Sequence, residues 1–186
     1  LWENNHYNLR NREIFLSDNS EGMIEEVKEK LGNDYNYLVI DCHNIPFKNN
    51  YFDTIIANHV LFYLKDLDLG LSQISRVLKS RGTFYCTTYS KKHMQEIDEI
   101  AKNFDNRISL SDEPLPDYFG LENGHEILSK YFNYIELRKY EDSLMITQAQ
   151  PLIDYILSCH GNQNDILVNR MNEFKKYIED LIKKSN

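Results

Sequence analysis

Along the chain the spacing of apolar residues switches repeatedly between strand-like runs and helical stripes. Glu13 to Ser17 is a short β-rich run ending in Asp18, after which Asn19 or Ser20 can cap a helix carrying Met23, Ile24, Val27 and Leu31 at helical spacing. Tyr37 to Ile40 is a near-continuous apolar run ending in Asp41, a pattern that suits a strand covered on both faces. Phe52 to Ala57 predicts a third strand, followed by Asn58-His59 and a Leu-rich segment leading to Asp66 or Asp68, either of which can cap the next helix. That helix would bury Leu71, Ile74, Val77 and Leu78 and stop at Gly82, with Thr83 to Thr88 as the fourth strand. Ser90 can cap a further helix with Met94, Ile97, Ala101 and Phe104 facing inward, before a Pro-containing loop from Asp105 to Gly120. Asn123 caps a short helix. Tyr134 to Arg138 and Ser143 to Thr147 read as an antiparallel strand pair, and Pro151 to Cys159 and Asp165 to Lys184 read as closing helices.

Strands alternating with helices predict an α/β fold, a doubly wound and mostly parallel sheet ending in the antiparallel pair and the terminal helices. Residues 1–150 are expected to form one domain, with residues 151–186 as a helical extension packed on it. In such sheets ligands bind outside the carboxyl ends of the strands. The segments selected are Asp18-Asn19, Asp41-Cys42, Asn58-His59 and Tyr89 to His93. The loop from Asp105 to Gly120 is long enough to border that crevice as a mobile lid, its Pro114 and Pro116 restricting it locally.

Composition narrows the function. The 186 residues are 41% apolar and 12% aromatic with only 7 Gly and 4 Pro, which suits a packed domain and excludes collagen-like or low-complexity scaffolds. A formal charge of −8 argues against a general nucleic-acid binder, because that affinity depends on Lys and Arg neutralising phosphates. No apolar stretch is long enough to span a bilayer and no basic-then-apolar leader opens the chain, so the expected location is the cytoplasm. Cys42, Cys86 and Cys159 are odd in number and widely spaced, as reduced thiols would be. His6, His43, His125 and His160 show no ligand spacing with each other or with the cysteines, so no metal is expected.

Two carboxylates at the ends of consecutive strands suit a nucleoside, since each can accept from ribose hydroxyls or an exocyclic amine; helix capping and turn roles remain open for both. Around these residues the sequence resembles the class I S-adenosylmethionine-dependent methyltransferases, from Leu1 to about Thr147. Leu16-Ser17-Asp18-Asn19-Ser20-Glu21-Gly22-Met23 is similar to the end of that family's second strand. Asp41-Cys42-His43-Asn44-Ile45-Pro46-Phe47 with Phe52-Asp53 is similar to the end of its third strand, Cys42 replacing the usual Ala. Ala57-Asn58-His59-Val60-Leu61 matches the segment lining the methionine part of the cofactor, and Arg76-Val77-Leu78-Lys79-Ser80-Arg81-Gly82 resembles the family's Arg-Val-Leu-Lys-Pro-Gly-Gly.

The resemblance implies a Rossmann-like fold with S-adenosylmethionine as cofactor. It implies Asp18 on the ribose, Asp41 on the adenine amine and the Cys42 amide on the ring, with Trp2, Asn19, Met23, Asn58 and His59 around the rest. The family's Gly-rich loop after its first strand has no counterpart in this sequence. That strand and its loop are therefore expected upstream of Leu1, leaving a strand-wide space between Ile14–Ser17 and Thr54–Ala57, filled by preceding residues or by exchange with a second copy in a homodimer. Methyl transfer needs mainly alignment, with a general base if the acceptor is a hydroxyl or protonated amine. His93 is the first candidate, with His59, Tyr89 and Tyr63 behind it. The expected acceptor is a small molecule. No Asn/Asp-Pro-Pro-aromatic motif follows the third strand, which disfavours nucleic-acid bases. The alternatives are a non-catalytic protein that keeps the fold for binding or assembly, and another nucleotide-binding enzyme such as a dehydrogenase, which Asp41-Cys42 with Ile45-Pro46-Phe47 speaks against.

Overall fold

The computed structural model describes residues 12–140 and 142–185, and the chain divides between Thr87 and Thr88 into two compact units. The first unit is a repeated strand-helix-strand pattern. Strand β1 (Phe15–Asp18) leads into helix α1 (Glu21–Leu31), whose N-cap Ser20 accepts from the Met23 amide and whose C-cap Gly32 takes φ 76°, a value open to Gly at little cost. Strand β2 (Asn36–Val39) then pairs with β1 in parallel, Asp18 standing opposite Val39. Strand β3 (Phe52–Asn58) is followed by a 3-10 turn at Leu61–Tyr63, helix α2 (Leu67–Val77) capped by Asp66, and strand β4 (Leu78–Thr87), parallel to β3. Among the described residues β1 pairs with β2 and β3 with β4, as two separate sheets, and β1 does not pair with β3. The two sheets meet through side chains: the rings of Phe15, Phe47, Tyr51 and Phe52 form a cluster with centroids 4.7 to 6.2 Å apart.

Two local expectations are corrected in this unit. Gly82 does not stop α2, which ends at Val77 and passes directly into β4. The register slips instead, Phe52 facing Leu78 but Thr54 facing Thr83, and Gly82 sits in the slipped stretch where a Cβ would lie 2.8 Å from the Leu78 side chain and 3.0 Å from the Asp53 carbonyl. The strands are not covered on both faces: Ala57 is buried while Val39, Ile56 and Tyr85 are exposed, so β3 and β4 alternate with period two.

The second unit is helical. Helix α3 (Gln95–Phe104), the short α4 (Leu115–Tyr118) and α5 (Gly124–Ser129), then α6 (Ala149–Ser158), α7 (Gln163–Leu167) and α8 (Met171–Ser185) follow in order. Ile97 and Ala101 of α3 join Leu152, Ile153, Ile156, Leu167, Phe174 and Ile178 in its core. The C-terminal helices therefore pack on a helix from within the 1–150 segment. Ser90 does not cap α3; its N-cap is Met94, at φ 55°, behind a turn in which the His93 amide donates to the Ser90 carbonyl. The single long closing helix is two, because Val168 to Arg170 break it between α7 and α8. Residues 134–140 and 142–147 form no strands. Tyr134 is 83% and Met145 91% exposed, and a two-stranded ribbon without a face to pack on has little stability in water.

The loop from Asp105 to Gly120 is anchored within this unit. Ile108 and Phe119 are buried, the Ser109 amide donates to Asn162 Oδ1 at 2.8 Å, and the Asn162 side chain donates to the Arg107 carbonyl at 3.0 Å.

Candidate functional site

The first unit brings two acidic residues to one end of one sheet. Because β1 and β2 are parallel and in register, Asp18 ends β1 and Asp41 lies two residues past Val39, the Ile40 amide donating to the Asp18 carbonyl at 2.9 Å. Their convergence has an electrostatic mark on Cys42. Its half-buried thiol is pushed above the usual range first by burial and then by the negative charges of Asp41 and Asp18.

Asp18 Oδ1 accepts from the Ser20 amide at 2.9 Å, an Asx-type bond that fixes the carboxylate just before α1. Asn19 lies in the bend after β1 and Met23 is exposed on the first turn of α1. Asp41 Oδ1 accepts twice from His43, from the backbone amide at 2.9 Å and from ring Nδ1 at 2.6 Å, and these bonds hold its carboxyl below the ordinary range. The segment after β2 is pinned from behind by Arg76. Its guanidinium donates to the carbonyls of Phe47 at 2.7 Å and Ile45 at 2.8 Å and to Asn49 Oδ1 at 3.1 Å. The fork geometry of Arg, five donors and no acceptor, suits this cluster of oxygens. Arg76 in its Arg-Val-Leu stretch is thus joined physically to Ile45-Pro46-Phe47.

Asn58, the last residue of β3, and His59 after it are exposed. His59 has φ 50°, a left-handed conformation uncommon for His, held by its amide donating to Thr87 Oγ1 at 3.0 Å, with its ring 6.2 Å from that of Phe62. In the second unit the rings of Tyr89 and His93 lie 5.0 Å apart, and the Lys91 amide donates to both Glu122 oxygens. Lys91 also pairs with Asp117, which raises the lysine's pKa. The same unit holds a cavity of about 300 Å³ with a mostly apolar lining, including Met94, Ile97, Ile146, Leu152 and Tyr155 beside Thr147 and Gln148.

Asp18, Asn19, Met23, Asp41 and Cys42 gather at the carboxyl end of the β1-β2 pair, Asn58 ends β3 with His59 just after it, and Tyr89 and His93 stand together in the second unit. Trp2 lies outside the described residues. Among the described residues no three His, Cys, Asp or Glu side chains group as a metal site. Sequence reasoning passed over His43, weighing it only as a metal ligand. Its position two residues after a strand-end Asp is the spacing of an Asx turn, and that signal was available.

Residues 3–86 match the family described as a methyltransferase domain. A malonyl-[acyl-carrier protein] O-methyltransferase of Chlorobium luteolum is 28% identical over 122 residues, 66% of this chain and 42% of the relative. A ubiquinone/menaquinone biosynthesis C-methyltransferase UbiE of Francisella tularensis is 34% identical over 96 residues, 49% of this chain and 38% of the relative. The chain thus spans less than half the length of either curated relative. A solved structure of a candidate methyltransferase from Bacillus halodurans superposes on 92% of this chain and 69% of its own with a TM-score of 0.55 at 13% identity, a likeness of fold alone.

Proposed function

We propose that this chain, whose residues 3–86 match a methyltransferase domain, binds S-adenosylmethionine at the carboxyl end of the β1-β2 pair and methylates a small-molecule acceptor. The observation that carries the reading is the placing of Asp18 and Asp41 at the same end of adjacent parallel strands, both felt by the Cys42 thiol. The residues present fit such a cofactor. Asp18 would accept from the ribose hydroxyls, Asp41 from the exocyclic amine, and the Cys42 amide would serve the ring. Asn19, Met23, Asn58 and His59 surround the remainder, and Trp2 is assigned with them. When bound, the sulfonium supplies an electrophilic methyl group, and the reaction then requires chiefly alignment of the acceptor.

His93 receives the proton that a hydroxyl or amine acceptor must lose. Tyr89, whose ring lies 5.0 Å from that of His93, and His59 are the further candidates for the same task. No DNA or RNA partner and no membrane partner enters this reading. No described helix is long and apolar enough to cross a membrane.

The test is incubation of the full chain with methyl-labelled S-adenosylmethionine and a panel of hydroxylic, carboxylic, amine and aromatic-carbon acceptors. Label transfer with equimolar S-adenosylhomocysteine, reduced at least tenfold by His93→Ala, is expected for the oxygen or nitrogen acceptors. Undiminished transfer in His93→Ala removes the base assignment, and absence of binding of both S-adenosylmethionine and S-adenosylhomocysteine removes the cofactor reading.

A further inference from the structure

We infer that His43 is a positioning residue for adenine recognition: it orients the Asp41 carboxylate so that Oδ1 is occupied within the protein and Oδ2 is presented to the exocyclic amine. The inference rests on the assignment of Asp41 to adenine made above and deepens it. Nothing in the resemblance to other methyltransferases specifies a histidine at this place.

The argument begins with the tautomer. The backbone amide of Asp66 points at His43 Nε2 from 3.2 Å, and an amide can only donate, so Nε2 carries the lone pair. In the neutral ring the proton is then on Nδ1, where it is donated to Asp41 Oδ1 at 2.6 Å. The His43 backbone amide donates to the same oxygen at 2.9 Å. Both internal donors therefore converge on Oδ1, and among the described residues Asp41 Oδ2 has no hydrogen-bond partner. The burial agrees: the His43 side chain is 22% exposed against 63% for Asp41, so the ring stands behind a carboxylate whose outer edge meets solvent.

The ring also connects two loops. Asp66, whose amide holds Nε2, is the N-cap of α2 and accepts from the Leu69 amide at 2.9 Å. The chain of bonds runs from the loop after β2, through His43, to the start of the helix that follows the Asn58-His59 segment. A carboxylate fixed in this way loses less freedom when a ligand amine arrives, and its open oxygen has one direction.

The experiment compares calorimetric affinities of the full chain for S-adenosylhomocysteine and S-inosylhomocysteine, in which a carbonyl replaces the exocyclic amine. The readout is the preference ratio, which a general loss of stability does not move. In the wild type the ratio favours the amine, and Asp41→Ala abolishes it. His43→Ala is expected to lower the ratio about fivefold, the size of one hydrogen bond. His43→Asn, which can still donate to Asp41, keeps the ratio within about twofold; His43→Gln, which reaches the Asp66 amide instead, lowers it as Ala does. If Asp41→Ala removes the preference and His43→Ala does not, the positioning role is overturned and the adenine assignment stands. Equal loss in the Asn and Gln variants likewise overturns it, as does a parallel fall for both ligands. A preference that survives Asp41→Ala, or is absent from the wild type, overturns the adenine assignment itself. Should the Ala variant fail to fold, the contrast between Asn and Gln decides.

Discussion

Single side chains do most of their work here by satisfying backbone at the ends of elements. Arg76 gathers the carbonyls of Ile45 and Phe47, and Asn162 clamps Arg107 and Ser109. Asp105, C-cap of α3, is the most strongly perturbed of these groups. Hydrogen bonds from the Arg107 side chain and backbone hold its carboxyl far below the usual carboxylate range, against the opposing effect of desolvation, and Arg170 adds a further bond at 2.7 Å while lying over the Phe104 ring. A depressed native pKa stabilises the fold above the unfolded value of about 4, and that contribution is lost as pH falls from there toward the native value. Asp105→Asn should therefore lower the melting temperature at pH 7, with the gap to wild type narrowing progressively below about pH 4. Thermal melts of both proteins from pH 7 to pH 2.5 check this, and parallel curves contradict it.

Among the elements, the turn between α6 and α7 is the most tightly seated. A Cβ on Gly161 would collide with the Ser109 carbonyl, and Asn162 beside it carries three bonds to the loop after α3. Gly161→Ala should cost about 1 to 3 kcal/mol of stability, read as a lower urea midpoint with an unchanged slope. An unshifted midpoint would show that the turn is free of the loop. What was legible at this scale had local causes. Of the alternatives Asn19 or Ser20 and Asp66 or Asp68, Ser20 and Asp66 cap the helices, since an N-cap bond spans only three residues. The runs ending in Asp18 and Asp41 and the run from Phe52 to Ala57 correspond to β1, β2 and β3 to within a residue or two at their ends. The stretch from Tyr134 to Thr147 has the same β-rich composition, yet strand formation needs a partner surface that no local pattern reports. For the same reason Gly82, a plausible helix stop in isolation, lies inside a slipped strand register.

For the whole chain, the strand-end carboxylates were legible because the crevice rule depends only on strand order and direction, which alternation with helices reveals. The division between Thr87 and Thr88 was not, since it follows from α3 packing with α6 and α8, contacts more than forty residues apart in sequence. Nor was the bond from His43 to Asp66, between residues 23 apart, visible beforehand. The match of residues 3–86 to a methyltransferase domain and the parallel β1-β2 pair meet in one claim, that Asp18 and Asp41 form the two polar contacts of a nucleoside. Titration calorimetry of S-adenosylhomocysteine into the full chain, with Asp18→Ala beside the wild type, tests it most directly. Binding weakened by about 1 to 3 kcal/mol, with the melting temperature of the free protein little changed, is the expected result. Affinity equal to that of the wild type would contradict the assignment of the ribose to Asp18, and with it the placing of the cofactor at this end of the sheet.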